Sequence, residues 1–156
     1  MLEREKTCCF TGHRCIPNGS LDNLKRQLKQ EIEKLIQQGV IYFGTGGALG
    51  FDTLAAEAVL ELKKKYPLIR LILVCPCPEQ DRYWKEEDRK IYQKIKSRSD
   101  KVVYVSPHYT SDCMKKRNRH LVDYSGVCIC YLRRRNSGTA YTVGYARQKG
   151  LVILEL

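Results

Sequence analysis

A glycine-rich stretch over residues 44–50 is the strongest chemical signal in the sequence. It follows an apolar segment and precedes a segment with helical periodicity. Glycine accepts positive φ and exposes bare backbone, and the first N–H groups of a helix have no partner within the helix. A phosphate at such a point accepts several charge-assisted hydrogen bonds, each worth about 1.5–3 kcal/mol. We therefore predict that Gly46, Gly47 and Gly50 bind an anion, with a tight turn packed for purely structural reasons as the alternative.

This loop differs from two familiar phosphate-binding motifs. Residues 51–53 read Phe-Asp-Thr, where a Walker P-loop needs Gly-Lys followed by Ser or Thr. The glycine spacing is Gly-x-Gly-x-x-x-Gly, one residue longer than the dinucleotide fingerprint. Residues 75–77 read Cys-Pro-Cys, where that fingerprint expects an acidic ribose ligand. The sequence therefore points to an anion site of another kind.

Two other segments carry small and basic residues where an apolar strand pattern ends. Residues 11–14 read Thr-Gly-His-Arg, and residues 137–139 read Ser-Gly-Thr at the start of a predicted helix. The Arg14 guanidinium can clamp a phosphate through two hydrogen bonds, with a surface salt bridge as the alternative. We predict that Gly138 and Thr139 contact an oxyanion or a ribose, with an ordinary helix cap as the alternative.

Polar residues at predicted helix positions extend the candidate site. Asp52 lies in the first turn of a predicted helix, where the dipole stabilises an acid by about 0.3–1 kcal/mol without any ligand. Because a carboxylate repels phosphate, a functional Asp52 is expected to face a ribose hydroxyl or a base. Arg117 and Asn118 interrupt the apolar stripe of the helix predicted at 112–124, as expected if they face a polar crevice. Trp84 fits either stacking on a base or packing in the core.

Strand and helix patterns alternate along the whole chain, without a linker or an internal repeat. We predict strands near residues 6–11, 40–44, 69–75, 101–105, 126–132 and 151–155. We predict helices near residues 20–39, 51–65, 79–98, 112–124 and 139–149. This order predicts one α/β domain over residues 1–156, a three-layer Rossmann-like sandwich with a mostly parallel sheet of about six strands and helices on both faces. In such sheets ligands bind at the carboxyl ends of the strands, where the strand order reverses.

Composition narrows the class of protein. The chain has 156 residues and a net charge of +11, from 28 basic and 17 acidic residues. This charge suggests nucleic acid, although most of it is spread over helix surfaces. The eight cysteines lack zinc-site spacing, so we interpret them as buried thiols and expect no bound metal. The charged start and the absence of a long apolar run predict a cytoplasmic protein that does not enter a membrane.

Taken together, five motifs resemble the YpsA-like family of the SLOG superfamily, which also holds DprA/Smf and the LOG phosphoribohydrolases. They lie at residues 11–14, 46–52, 79–80 together with Trp84, 117–118 and 137–142. The resemblance implies a nucleotide-derived ligand such as AMP, ADP-ribose or NAD, bound without Mg²⁺ and with no certain cofactor. The candidate ligand-binding residues are Gly12, His13, Arg14, Gly46, Gly47, Gly50, Asp52, Gln80, Arg117, Asn118, Ser137, Gly138, Thr139 and Thr142.

The resemblance also bears on catalysis. LOG enzymes carry Gly-Thr-x-x-Glu, whose acid takes part in cleaving an N-glycosidic bond, and Thr142 stands at the matching position of this chain. A hydroxyl cannot replace a carboxylate in that reaction, which leaves Asp52 as the candidate catalytic residue.

We therefore expect a nucleotide-binding sensor or regulator, with N-glycosidase activity left open. The alternative function is binding of single-stranded nucleic acid, as in DprA. A second copy of the chain is a further candidate partner.

Overall fold

Six parallel strands form one continuous sheet in the computed structural model, which describes residues 3–156. The strands are β1 (Thr7–Gly12), β2 (Tyr42–Thr45), β3 (Arg70–Cys75), β4 (Lys101–Tyr104), β5 (Val127–Tyr131) and β6 (Val152–Glu155). Their order across the sheet is β4-β3-β2-β1-β5-β6, and every neighbouring pair is parallel. The predicted strands are confirmed to within about two residues.

Five α-helices connect the strands. They are α1 (Leu21–Gln37), α2 (Phe51–Lys63), α3 (Glu86–Arg98), α4 (Cys113–Asp123) and α5 (Gly138–Gln148). Buried residues of α1 recur every three or four positions at Leu24, Leu28, Ile32 and Leu35, which places them on one face of the helix. The same periodicity in the sequence predicted this helix.

Helices cover both faces of the sheet. Because successive strand residues point to opposite faces, Phe10 of β1 packs on the side of α1, α2 and α3, whereas Cys9 packs on the side of α4 and α5. The structure therefore confirms the predicted α/β sandwich with a Rossmann-like arrangement. Strand order reverses at β1, since the chain proceeds from β1 to β2 on one side and places β5 on the other.

The predicted start of the third helix was wrong. Helix α3 begins at Glu86, not near residue 79, and the residues before it form turns. Lys85 is extended at φ −60° and ψ 149°, which interrupts helical geometry. The buried Asp81 carboxylate accepts a hydrogen bond from Gln93 at 2.9 Å, so it anchors the turn segment to the side of α3.

Within residues 3–156, every helix falls short of the length and apolar character that a membrane span requires.

Candidate functional site

A cavity of about 290 Å³ opens at the carboxyl ends of β1 and β5, where the strand order reverses. We call this cavity the crevice. It is lined by Phe10, Thr11, Gly12, His13, Arg14, Cys15, Ala48, Asp52, Met114, Arg117, Asn118, Arg134, Ser137, Gly138 and Thr139. Residues from the β1 loop, the start of α2, α4 and the β5–α5 loop therefore meet at one point. This is the position at which parallel α/β sheets bind their ligands.

His13 joins the two strand-end loops that form the crevice. Its Nε2 accepts hydrogen bonds from the backbone N–H groups of Arg133, at 2.8 Å, and Arg134, at 3.3 Å. Its Nδ1 lies 3.4 Å from the Thr139 hydroxyl. Burial and the neighbouring Arg134 and Arg133 lower the pKa of His13, which favours the neutral ring that these two bonds need. His13 therefore positions the β5–α5 loop, a role that the sequence did not indicate.

The loop after β1 packs directly against the start of α2. The Phe51 N–H donates to the His13 carbonyl at 3.1 Å. Gly50 has φ 75°, and a Cβ there would lie 2.1 Å from the Arg14 carbonyl oxygen. A Cβ at Gly12 would lie 2.4 Å from the Phe51 ring. These glycines allow two chain segments to touch, and Arg14 is carried to the rim of the crevice as a result.

A buried arginine supports the glycine loop from below. Arg117 is 4% exposed, and its Nη1 donates to the Gly46 carbonyl at 2.6 Å and to Gln80 Oε1 at 3.3 Å. Its Nε donates to Asn118 Oδ1 at 2.7 Å. A Cβ at Gly46 would lie 2.6 Å from Arg117 Nη1, so a side chain there would displace the guanidinium from this position. Arg117 thus contributes positive charge beneath the crevice while fixing the loop.

Asp52 occupies the floor of the crevice as a buried acid, with 7% exposure. Its Oδ2 accepts a hydrogen bond from the Ala48 N–H at 3.2 Å, so the carboxylate itself takes one of the donors of the glycine loop. Burial raises the pKa of Asp52 from 3.8 to about 6, while Arg117, the Ala48 N–H and Arg14 act in the opposite direction. The acid is therefore poised to titrate near neutral pH.

We expect the stability of the protein to depend on the ionisation of Asp52. Because the folded state binds this proton more tightly than the unfolded state, the stabilisation is present below about pH 4 and is lost as the pH rises through about 6. Relative to Asp52→Asn, the wild type should lose about 3 kcal/mol over this interval. Urea unfolding of both proteins across the interval measures the effect. A pH-independent difference between them would contradict the raised pKa.

The start of α5 forms the opposite wall of the crevice. The Ser137 hydroxyl accepts a hydrogen bond from the Ala140 N–H at 3.1 Å and donates to the Arg134 carbonyl at 2.8 Å. Gly138 is exposed, with open space where a side chain would stand. The Thr142 hydroxyl donates to the Gly138 carbonyl at 3.0 Å and is buried, so it serves the helix and is absent from the lining of the crevice.

The structure brings most of the predicted site residues together. The crevice is lined by Gly12, His13, Arg14, Asp52, Arg117, Asn118, Ser137, Gly138 and Thr139. The remaining predicted residues are not part of this lining: Gly46, Gly47, Gly50, Gln80 and Thr142. Gly46 and Gly47 are buried, and Gln80 Nε2 lies 3.4 Å from the Gly46 carbonyl oxygen. The glycine loop thus shapes the crevice through Ala48 and Asp52, rather than lining it with its glycines.

Sequence reasoning did not single out Arg134 as a crevice residue. The basic run at residues 133–135 is the signal in the sequence that could have indicated it. The Arg133 side chain stacks on Tyr131 at 4.3 Å and donates to the Leu156 carbonyl at 2.8 Å. Arg134, in contrast, lines the crevice.

These features define the class of protein: a Rossmann-like α/β fold with a cation-rich crevice at the reversal of strand order. A family model described as the YspA SLOG family matches residues 17–150. The chain therefore belongs to the YpsA family of SLOG proteins, as the motifs predicted.

Relatives in sequence agree with this assignment. The uncharacterized SPbeta prophage-derived protein YoqJ of Bacillus subtilis is 31% identical over 144 residues, which cover 84% of each chain. A UPF0398 protein of Brevibacillus brevis is 30% identical over 124 residues, covering 78% of this chain and 66% of its own.

Two solved structures share the fold. DNA processing protein A of Helicobacter pylori, which binds single-stranded DNA, has a TM-score of 0.69 at 20% identity. DNA processing protein A of Streptococcus pneumoniae also has a TM-score of 0.69, at 15% identity. Each similarity covers 96% of this chain but only 64% and 49% of the two larger proteins, so the present chain corresponds to part of each.

Proposed function

We propose that the protein binds a nucleotide or nucleotide derivative, such as AMP, ADP-ribose or NAD, in the crevice and acts as a sensor or regulator. The observation that carries this proposal is the joint presence of a buried acid, Asp52, and two exposed arginines, Arg14 and Arg134, in one cavity. A nucleotide has the complementary groups, since its phosphate is anionic and its ribose and base carry hydrogen-bond donors. Membership of the YpsA family supports the same ligand class.

The phosphate belongs on the cationic side of the crevice. Arg14 and Arg134 supply planar guanidinium groups that can bind phosphate oxygens in pairs. The start of α5 at Gly138 is open to approach and adds the positive end of its dipole. The buried Arg117 adds charge from below without needing to touch the ligand.

Asp52 is suited to contact the ribose or the base of the ligand, and not its phosphate. An ionised carboxylate repels phosphate, but it accepts hydrogen bonds from ribose hydroxyls or from an amino group of a base. A ribose on Asp52 would place its anomeric carbon beside the acid that the described residues contribute to the crevice lining. Any N-glycosidase activity is therefore assigned to Asp52, and release of base from AMP or NAD, followed by chromatography, should disappear in Asp52→Asn.

The proposed function is tested by ligand binding to an Arg14 variant. Wild-type protein should bind AMP or ADP-ribose in calorimetry, and Arg14→Ala should weaken the binding at least about tenfold through loss of a charge-assisted contact. Arg14 is exposed, so its melting temperature without ligand should stay near that of the wild type. Arg70→Ala is the matched control, because Arg70 is an exposed arginine at the amino end of β3. If no nucleotide binds, or if both variants bind equally well, the proposal fails.

Binding of single-stranded nucleic acid is a second candidate function, and a specific surface supports it. On the outer face of α4 and α5, Arg119 Nε donates to the Tyr141 hydroxyl at 2.9 Å, and Lys115 Nζ lies 5.1 Å from the Tyr141 ring centroid. Tyr124 is 63% exposed, and it lines a surface cavity along α4 together with Lys116. Tyr141 and Arg119 are 22 residues apart in the chain, so no local pattern in the sequence indicates this pairing of a ring with a basic cluster.

Charge and exposed aromatic rings together are the features that bind single strands. We expect an oligonucleotide to bind with an affinity that falls steeply with salt, and a Lys115→Ala and Tyr141→Ala double variant to lose most of it. Filter binding at several salt concentrations measures the slope. If the double variant keeps full affinity, this surface is not the binding site. DNA processing protein A of Helicobacter pylori, with the same fold, binds single-stranded DNA.

A further inference from the structure

An apolar groove lies beside the crevice, between the start of α1, the start of α2 and the side of α3. It encloses about 470 Å³ and is lined by aliphatic and aromatic side chains, among them Ile16, Leu49, Leu54, Trp84 and Ile91. These side chains are partly exposed, and Ile91 is 44% exposed. Trp84 makes an edge contact with Tyr92 at 5.2 Å between ring centroids, which holds the indole in place. The groove therefore presents a fixed aromatic surface that the core leaves partly uncovered.

Arg14 lines both the groove and the crevice. Its backbone is held against Gly50, where a Cβ would lie 2.1 Å from the Arg14 carbonyl oxygen, so it forms a fixed boundary between the two cavities. A ligand bound to the Arg14 guanidinium in the crevice therefore lies next to the groove.

The two cavities have different chemistry. The crevice holds arginines, an acid and a helix start, whereas the groove is lined mostly by apolar side chains with one tryptophan, and has Thr53 and Asp88 as further polar members besides Arg14. At about 290 Å³ the crevice alone lies just below the range of about 300–1,000 Å³ typical of small-molecule sites, and the groove is the larger of the two. A molecule that matches both has an anionic part joined to a flat, weakly polar ring.

We infer that the groove receives the base of the nucleotide whose phosphate lies in the crevice, with the Trp84 and Leu49 side chains forming the base site. The inference rests on the proposed function and adds to it the position and the determinants of base recognition. It gives a role to an aromatic side chain that lines the same groove as Arg14. A ligand without a base fills the crevice alone and leaves the groove empty.

Trp84 is the single tryptophan of the chain, so its fluorescence reports on the groove. AMP should change Trp84 emission in a saturable manner, whereas ribose 5-phosphate should raise the melting temperature without changing the emission. Leu49→Ser should weaken AMP binding about tenfold and leave ribose 5-phosphate binding unchanged. Leu68→Ser is the matched control, since Leu68 is 77% exposed and lies outside the groove. If Leu49→Ser unfolds, Ile91→Ser makes the same test at a more exposed position.

The outcomes separate this inference from the proposed function. If AMP binds in an Arg14-dependent way but Trp84 emission and the Leu49→Ser affinity do not change, the base lies elsewhere and the inference is wrong, while the proposed function stands. If neither AMP nor ribose 5-phosphate binds, both fail. If Trp84 emission instead follows protein concentration and Leu49→Ser changes the sedimentation coefficient, the groove is an interface between copies of the chain, and the inference is overturned.

Discussion

Replacing Arg117 with methionine should lower the free energy of unfolding by about 3–5 kcal/mol, the range expected when one partner of a buried charged network is removed. Arg117 is 4% exposed and donates to the Gly46 carbonyl and to Gln80. Methionine fills a similar volume but donates no hydrogen bond, so the buried Gly46 carbonyl keeps only the long 3.4 Å hydrogen bond from Gln80 Nε2. Chemical unfolding monitored by circular dichroism measures the loss.

The same variant should raise the pKa of Asp52 above about 6, because the Arg117 guanidinium is the largest influence that opposes the effect of burial. Titration of the Asp52 carboxyl by carbon NMR measures this pKa independently of stability. Lys116→Met is the matched control, since Lys116 is exposed on the same turn of α4. A destabilisation below about 1 kcal/mol, the scale of an exposed ion pair, would show that Arg117 does not support the glycine loop.

Replacing Gly50 with alanine should lower the free energy of unfolding by at least about 3 kcal/mol, because the substitution combines backbone strain with a steric clash. Gly50 has φ 75° and ψ −118°, a conformation that side chains other than glycine rarely adopt. The added methyl group would lie 2.1 Å from the Arg14 carbonyl oxygen, so either α2 or the β1 loop must move. Movement of the β1 loop displaces Arg14, and nucleotide affinity should fall together with stability.

Gly150→Ala separates the effect of backbone strain from the effect of the steric clash. Gly150 has φ 80°, but within residues 3–156 no atom beyond its own chain neighbours lies within 4 Å of the position where its Cβ would stand. Its substitution should therefore lower the free energy of unfolding only by the backbone strain of about 1–2 kcal/mol, and it should leave ligand binding unchanged. Equal losses of stability for the two variants, measured by urea unfolding, would mean that the contact between Gly50 and Arg14 relaxes without cost.

The elements of this protein were predictable because their signals are local. Helix α1 repeats its apolar residues at the helical period, and β1 places Cys9 and Phe10 on opposite faces of the sheet. Alternation of strands and helices then predicted a parallel sheet with its ligand site at the strand ends. The start of α3 was not predictable from periodicity, because the buried side chain of Asp81 anchors the preceding segment as turns.

The sequence by itself determined the α/β class, the family and the edge of the sheet on which the small and basic residues gather. Only the tertiary structure decided which of those residues line the crevice and which hold the lining residues in place. Arg117 reaches Gly46 across 71 positions of the chain, and His13 reaches Arg133 across 120. Whether a side chain lines a cavity or supports one depends on such distant contacts, which no local pattern encodes. For this reason the glycine loop, the first signal in the sequence, is a support held by Arg117, while Asp52 beside it forms the floor of the crevice.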